Sequence, residues 1–208
     1  PFKVSMKKIS FLFMTIFISA CAIDTTKKEN LEETKLISSI SDKYVGTELK
    51  NSYQWLGIPY AEPPQGSLRW KAPRALSKQK EKVKALKFSD ACPQVPSISL
   101  DRGGNGEYTG SEDCLYLNIF TPKKISSDKK LPVMFWIHGG GNTSGEAASY
   151  DFSKLASAHD LVIVSINYRL GFLGWFYHPA FAATSNNLED KSGNFGTLDQ
   201  IMALKWVK

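Results

Sequence analysis

Three cysteines and three histidines are all that 208 residues offer for thiol or metal chemistry. Neither set has ligand spacing: Cys21, Cys92 and Cys114 form no CxxC pair, and His138, His159 and His178 are spread along the chain. No metal site is expected, and no cofactor. A dinucleotide fingerprint is missing too, because Gly139, Gly141 and Gly145, like Gly104, Gly106 and Gly110, are spaced GxGxxxG rather than GxGxxG. No apolar run reaches the roughly 20 residues of a membrane-spanning helix, which excludes a polytopic membrane protein. Charge of one sign is also scarce. The net +6 rests on 26 basic and 20 acidic residues, and Lys3, Lys7 and Lys8 lie in a stretch read below as removable, which leaves 23 against 20. That excess is too mild for a nucleic-acid partner. What is present, 42% hydrophobic and 22% charged residues with 15 Gly and 10 Pro, excludes collagen-like, coiled-coil and wholly disordered chains and fits a packed domain with appendages.

The first appendage is a leader. Pro1 to Ser5 precede Met6, which is the expected start; Lys7-Lys8 supply a positive n-region and Ile9 to Ala20 a short apolar core. Ile18-Ser19-Ala20-Cys21 closes it with small residues, and the whole resembles a bacterial lipoprotein signal peptide. The resemblance implies that residues 1–20 are removed and that Cys21 carries lipid, anchoring the protein to a membrane. Ala22, in place of an aspartate, implies the outer membrane, facing the periplasm. The alternative is an ordinary secretory signal with an incidental cysteine. Both readings export the chain, and an oxidising compartment lets Cys92 and Cys114 persist as a disulfide, although free buried thiols remain an alternative. A loop of about 20 residues closed this way is worth roughly 3 kcal/mol.

Residues 21–43 are polar and read as a tether from lipid to domain. The domain is expected over 44–208. Tyr53 to Ile58 is strand-like and enters the turn-rich Pro59 to Gly66. The lysines at 78, 80, 82, 84 and 87 are read as an exposed loop or edge. Leu115 to Phe120, Leu131 to Ile137 and Leu161 to Ile166 read as strands, the last two so continuously apolar that a sheet covered on both faces is expected. Ser149 to His159 reads as a helix with Phe152, Leu155 and Ala156 on one face. Strand, helix, strand predicts a parallel pair in an α/β fold. Leu198 to Val207 reads as a second amphipathic helix without a C-terminal cap signal.

The segment with chemistry in it is His138-Gly139-Gly140-Gly141, directly after an apolar strand. Consecutive glycines leave backbone N–H groups unshielded and free to converge on an anion or a developing oxyanion. A purely structural glycine turn is the alternative from this segment alone. Four further blocks stand in order around it: Gly57-Ile58-Pro59-Tyr60-Ala61-Glu62-Pro63-Pro64, Ser111-Glu112-Asp113-Cys114-Leu115-Tyr116-Leu117-Asn118, Asn167-Tyr168-Arg169-Leu170-Gly171-Phe172-Leu173-Gly174 and Gly193-Asn194-Phe195-Gly196-Thr197-Leu198-Asp199-Gln200. Together they resemble the type B carboxylesterases from Tyr44 to Lys208. The resemblance implies an α/β-hydrolase fold and hydrolysis of small carboxylic esters by a serine, an acid and a histidine. It places oxyanion-hole amides on Gly140 and Gly141, a disulfide between Cys92 and Cys114, and structural ion pairs between Arg69 and Glu112 and between Arg169 and Asp199. One departure stands out: Asn142 replaces the aromatic residue usual after the glycines, which bears on the acyl pocket.

His138 is read as a residue ordering the loop rather than as the catalytic base, which the family places much later; His159 and His178 are read as structural or solvent-facing. The nucleophile elbow, G-x-S-x-G, is missing. Ser144 lies in the glycine loop itself with the wrong spacing. The expectation is therefore the N-terminal part of a longer, exported esterase, holding oxyanion donors and scaffold while the nucleophile, acid and base lie elsewhere. The alternatives are a non-catalytic cholinesterase-like adhesion or binding module and an inactive truncated gene product.

Overall fold

A computed structural model of the chain describes residues 33–34, 44–77, 82–95, 107–124 and 130–208. The leader, Cys21 and nearly all of the expected tether lie outside the described residues.

A mixed sheet organises the rest. Its strands are β1 (Glu33–Thr34), β2 (Tyr44–Glu48), β3 (Ser52–Pro59), β4 (Val83–Lys84), β5 (Tyr116–Pro122), β6 (Val133–Ile137) and β7 (Val162–Ile166). They run in the order β1-β2-β3-β5-β7-β6, with β4 beside β2. The pairs β2·β3, β3·β5 and β5·β7 are antiparallel, whereas β6 and β7 are parallel and in register from Val133↔Val162 to Ile137↔Ile166. The crossover between that parallel pair contains helix α1 (Ser153–His159), the connection that the strand-helix-strand pattern predicts. Short helices α2 (Gly171–Gly174) and α3 (Pro179–Ala183) follow, then α4 (Phe195–Val207).

Successive residues of a strand face opposite sides of a sheet. In β5 and β7 both sides are apolar: Leu117, Val164 and Ile166 pack with Trp55, Ile58, Tyr168 and Ala203 in one core, and Phe120 and Ile163 with Leu56 and Ala156 in the other. Burying each large side chain is worth about 1.5–3 kcal/mol. This two-sided burial explains why β7 reads as a continuous apolar run. The expectation fails for β6, which is outermost in the strand order and leaves Val133 54% and Ile137 40% exposed.

Both helix expectations shift at their starts. The first helix begins at Ser153 rather than Ser149, because the Asp151 carboxylate accepts the Ser153 N–H at 2.9 Å and forms a local turn ahead of it. On this helix Ala156 is buried but Leu155 points outward. Helix α4 starts at Phe195, and its buried stripe is narrow: Phe195, Gly196, Asp199 and Ala203 face in, while Ile201 and Leu204 are exposed. The lysine stretch contains an edge strand, with Lys82, Lys84 and Lys87 exposed around buried Ala85. β1 pairs with β2 inside the stretch read as a tether.

Candidate active site

Strand β6 ends at Ile137, and the chain then turns through His138 to Glu146 at the C-terminal end of the parallel pair, where a ligand in an α/β sheet is expected. Four of the turn's residues have positive φ: Gly140 at 116°, Gly141 at 62°, Asn142 at 61° and Gly145 at 113°. The turn folds onto the Gly140 carbonyl, which accepts from the Thr143 and Ser144 N–H groups at 3.1 and 3.2 Å and from the Thr143 hydroxyl at 3.0 Å. With the carbonyl turned inward, the neighbouring amides face out. Among the described residues nothing accepts from the Gly140 or Gly141 N–H, and both glycines are exposed. Only a glycine serves at 140, since a Cβ there would collide with the Ser144 carbonyl.

Three elements hold the turn. Beneath its first residue, the Tyr168 hydroxyl donates to the His138 carbonyl at 2.7 Å, and the two rings stack 4.4 Å apart. His138 is buried, and burial pushes its pKa below the ordinary histidine value. Its Nδ1 lies 2.9 Å from the Gly139 carbonyl. A carbonyl only accepts, so the proton of the neutral ring sits on Nδ1. At the tip, Gly171 N–H donates to the Asn142 carbonyl at 2.7 Å. At the far end, Asn167 Oδ1 takes the Ala147 N–H at 2.8 Å, and the Gln94 carboxamide bonds both the N–H and the carbonyl of Gly145. Ser144 is buried, with its hydroxyl 3.5 Å from the Gly140 carbonyl.

Beside the turn lies a cleft of about 390 Å³, walled by Pro93, Gln94, Val95, Tyr108, Leu170, Gly171 and Phe172 with Thr143 and Ser144 at its edge. A largely apolar cleft next to a turn with free backbone donors suits a substrate with a greasy body and one oxygen that gains negative charge.

The carboxylesterase family model matches residues 34–208. The chain belongs to the carboxylesterase family. It is 40% identical over 176 residues to the para-nitrobenzyl esterase of Bacillus subtilis (strain 168), covering 84% of this chain and 34% of that protein. It is 35% identical over 211 residues to liver carboxylesterase 1F of Rattus norvegicus, covering 96% and 36%. Among solved structures, a PNB esterase superposes with a TM-score of 0.67 at 40% identity, covering 79% of this chain and 32% of that one. The carboxylesterase of Geobacillus stearothermophilus gives 0.64 at 34% identity, with the same coverage. The sheet and its helices are thus part of an α/β-hydrolase fold. The chain spans about a third of the length of the relatives it matches.

In this carboxylesterase chain Cys92 and Cys114 are joined, with Cα atoms 5.1 Å apart. Arg69 grips Glu112, two residues before Cys114, through Nε at 2.7 Å and Nη2 at 2.5 Å. Arg169 meets Asp199 through Nε at 2.8 Å and Nη2 at 2.7 Å, adds its own N–H at 3.1 Å, and spends Nη1 on the Lys71 carbonyl at 2.8 Å. Burial raises the Asp199 carboxyl, and the guanidinium opposes that rise. His159 is exposed in the last turn of α1, and His178 precedes α3, where its Nδ1 accepts the Ala180 N–H. Thiol titration of denatured, unreduced domain is expected to find neither Cys92 nor Cys114 free; two reactive thiols there would contradict the bond.

Sequence reasoning missed three participants. Gln94 and Asn167 carried no chemical signal of their own, although Asn167 begins a quoted block. The third is Asp190, buried against Arg74 at 2.7 and 2.9 Å. Burial pushes its carboxyl up, but bonds from Arg74, Ser185 and the Ala72 N–H outweigh that and hold it below the usual aspartate value.

Proposed function

We propose that this chain is the N-terminal part of an ester hydrolase that works through a serine acyl-enzyme, and that it contributes the oxyanion hole and its scaffold. The observation that carries this reading is the pair of exposed, unpartnered Gly140 and Gly141 amides in a turn whose next residues, Thr143 and Ser144, edge a cleft. As a nucleophile adds to an ester carbonyl, the oxygen gains a full negative charge; two fixed N–H dipoles lower that charge's energy without having to reorient. The serine, its base and its acid belong to the part of the relatives' length that this chain does not match. Tyr108, Phe172 and Leu170 favour an apolar acyl or alcohol group in the cleft. The exposed Asn142, in place of an aromatic residue, leaves the loop tip polar.

Export with a lipid on Cys21 is part of the same proposal and rests on the leader's sequence. Replacing Cys21 by serine is expected to release the protein from membranes, and unchanged fractionation would remove the anchor.

The reaction is tested by hydrolysis of p-nitrophenyl acetate. The full-length protein is expected to turn it over with saturation. The 208 residues alone are expected to match a denatured control, because stabilising an oxyanion without a nucleophile gives no turnover. Saturable, titratable activity from the 208 residues would place the nucleophile wrongly. No activity from the full-length protein would favour a binding module.

A further inference from the structure

The glycine turn is exposed from Gly139 to Thr143 and contains three consecutive residues of positive φ. Its internal bonds alone do not set where the free amides point; the Gly171 bond at its tip and the clamps at its two ends do. The leading end is clamped by His138 and Tyr168. The trailing end is clamped by Gln94, a residue 51 positions away in sequence and two after Cys92. Gln94 is only 7% exposed, and its carboxamide is spent on backbone. Oε1 accepts the Gly145 N–H at 2.7 Å, and Nε2 donates to the Gly145 carbonyl at 2.9 Å and to the Cys92 carbonyl at 3.1 Å. The Gln94 backbone is fixed in turn, exchanging bonds of 3.0 and 2.9 Å with Thr109 on the returning limb of the disulfide loop.

Gly145 is where such a grip has most leverage. It is buried with φ of 113°, and a Cβ there would collide with the Gly139 carbonyl and the His138 ring, so its backbone runs close to the first residues of the turn. A shift of the Gly145 peptide therefore reaches both ends of the turn.

We propose that Gln94 is a positioning residue for the oxyanion hole, holding the Gly140 and Gly141 amides in place through the Gly145 peptide and tying their geometry to the Cys92–Cys114 loop. The proposal rests on the oxyanion reading of those two amides. Without the carboxamide, the Gly145 N–H and carbonyl are left buried and unmade, and the turn gains by moving toward water. A displacement of about 1 Å at a catalytic donor costs on the order of a hundredfold in rate.

The test uses Gln94→Met, which keeps the length and removes the polar atoms, and Gln94→Glu, which keeps the acceptor and loses both donated bonds. In the full-length protein, Gln94→Met is expected to lower kcat for p-nitrophenyl acetate by about tenfold to a hundredfold with KM within about twofold, the mark of an interaction made in the transition state. Amide hydrogen exchange at Thr143, Ser144 and Gly145, the hydrogen-bonded amides of the turn, is expected to speed up by about tenfold, with β7 and α4 unchanged. Gln94→Glu sets a carboxylate oxygen against the Gly145 and Cys92 carbonyls and is expected to lose at least as much as Gln94→Met, and its loop exchange decides the matter if Gln94→Met does not fold. Unchanged loop exchange in the variants, or faster exchange with unchanged kcat, would overturn the proposal. A wild-type protein inactive on the ester would overturn the functional reading instead, and the exchange comparison would still decide whether Gln94 holds the turn.

Discussion

Replacing Gly140 by alanine is expected to lower kcat of the full-length protein by about 10²–10³, the usual cost of one lost oxyanion donor. The added Cβ falls on the Ser144 carbonyl, part of the backbone that closes the turn. A φ of 116° is also outside the range that an L-residue tolerates. Both conflicts are relieved the same way, by opening the turn and swinging the Gly140 and Gly141 amides off the site where the oxyanion forms. Gly141→Ala makes the useful contrast. A Cβ at 141 meets nothing within 4 Å, and its φ of 62° is left-handed helical, a strain of about 1–2 kcal/mol rather than a collision. Gly141→Ala is therefore expected to lose less activity than Gly140→Ala in the same p-nitrophenyl acetate assay. The exposed turn adds little to the core, so melting temperature is expected to fall far less than kcat. Equal activity in wild type and Gly140→Ala would take this turn out of the reaction.

Asp199→Ala is expected to be the most destabilising of the substitutions considered. Its partner Arg169 has a side chain only 3% exposed. Truncating Asp199 leaves that guanidinium buried without a counter-charge, which typically costs 3–5 kcal/mol against a total stability of about 5–15 kcal/mol. In a domain of this size the melting point, followed by circular dichroism, is expected to drop by on the order of 10 °C. The damage also reaches the site. Arg169 lies between Tyr168, which supports His138, and Gly171, which holds the tip of the turn. The double variant Arg169→Met/Asp199→Leu removes both charges at once and is expected to recover much of the lost stability. A melting point unchanged in Asp199→Ala would mean that the pair holds nothing.

The parts of this molecule legible in the sequence are those where one local rule dominates. An apolar run such as Val162–Ile166 has to be a strand buried on both faces, and a helical pattern between two such runs has to be a crossover, so the parallel β6·β7 pair followed from periodicity. The glycines at 139–141 announced unshielded amides because no other residue leaves the backbone so bare. Positions set by tertiary pairing were less visible. Val133–Ile137 has the composition of an inner strand, but its exposure depends on what lies beside it. The inward stripe of α4 includes Asp199, a charge that hydropathy assigns to the surface and that only Arg169 explains. Gln94 gives no signal at all in sequence, since an amide that bonds backbone 51 residues away looks like any surface glutamine until the two segments are brought together.

The most direct measurement is a crystal structure of the full-length protein with a phosphonate bound covalently at its nucleophile. The tetrahedral phosphorus stands in for the carbon of the acyl-transfer intermediate, and its free oxygen marks where the oxyanion forms. The expected result is that oxygen within about 2.7–3.1 Å of the Gly140 and Gly141 nitrogens, with the turn held as it is here by Tyr168, Gly171 and Gln94. An adduct whose oxygen is bonded to other donors, with the Gly140 and Gly141 amides facing solvent, would contradict it.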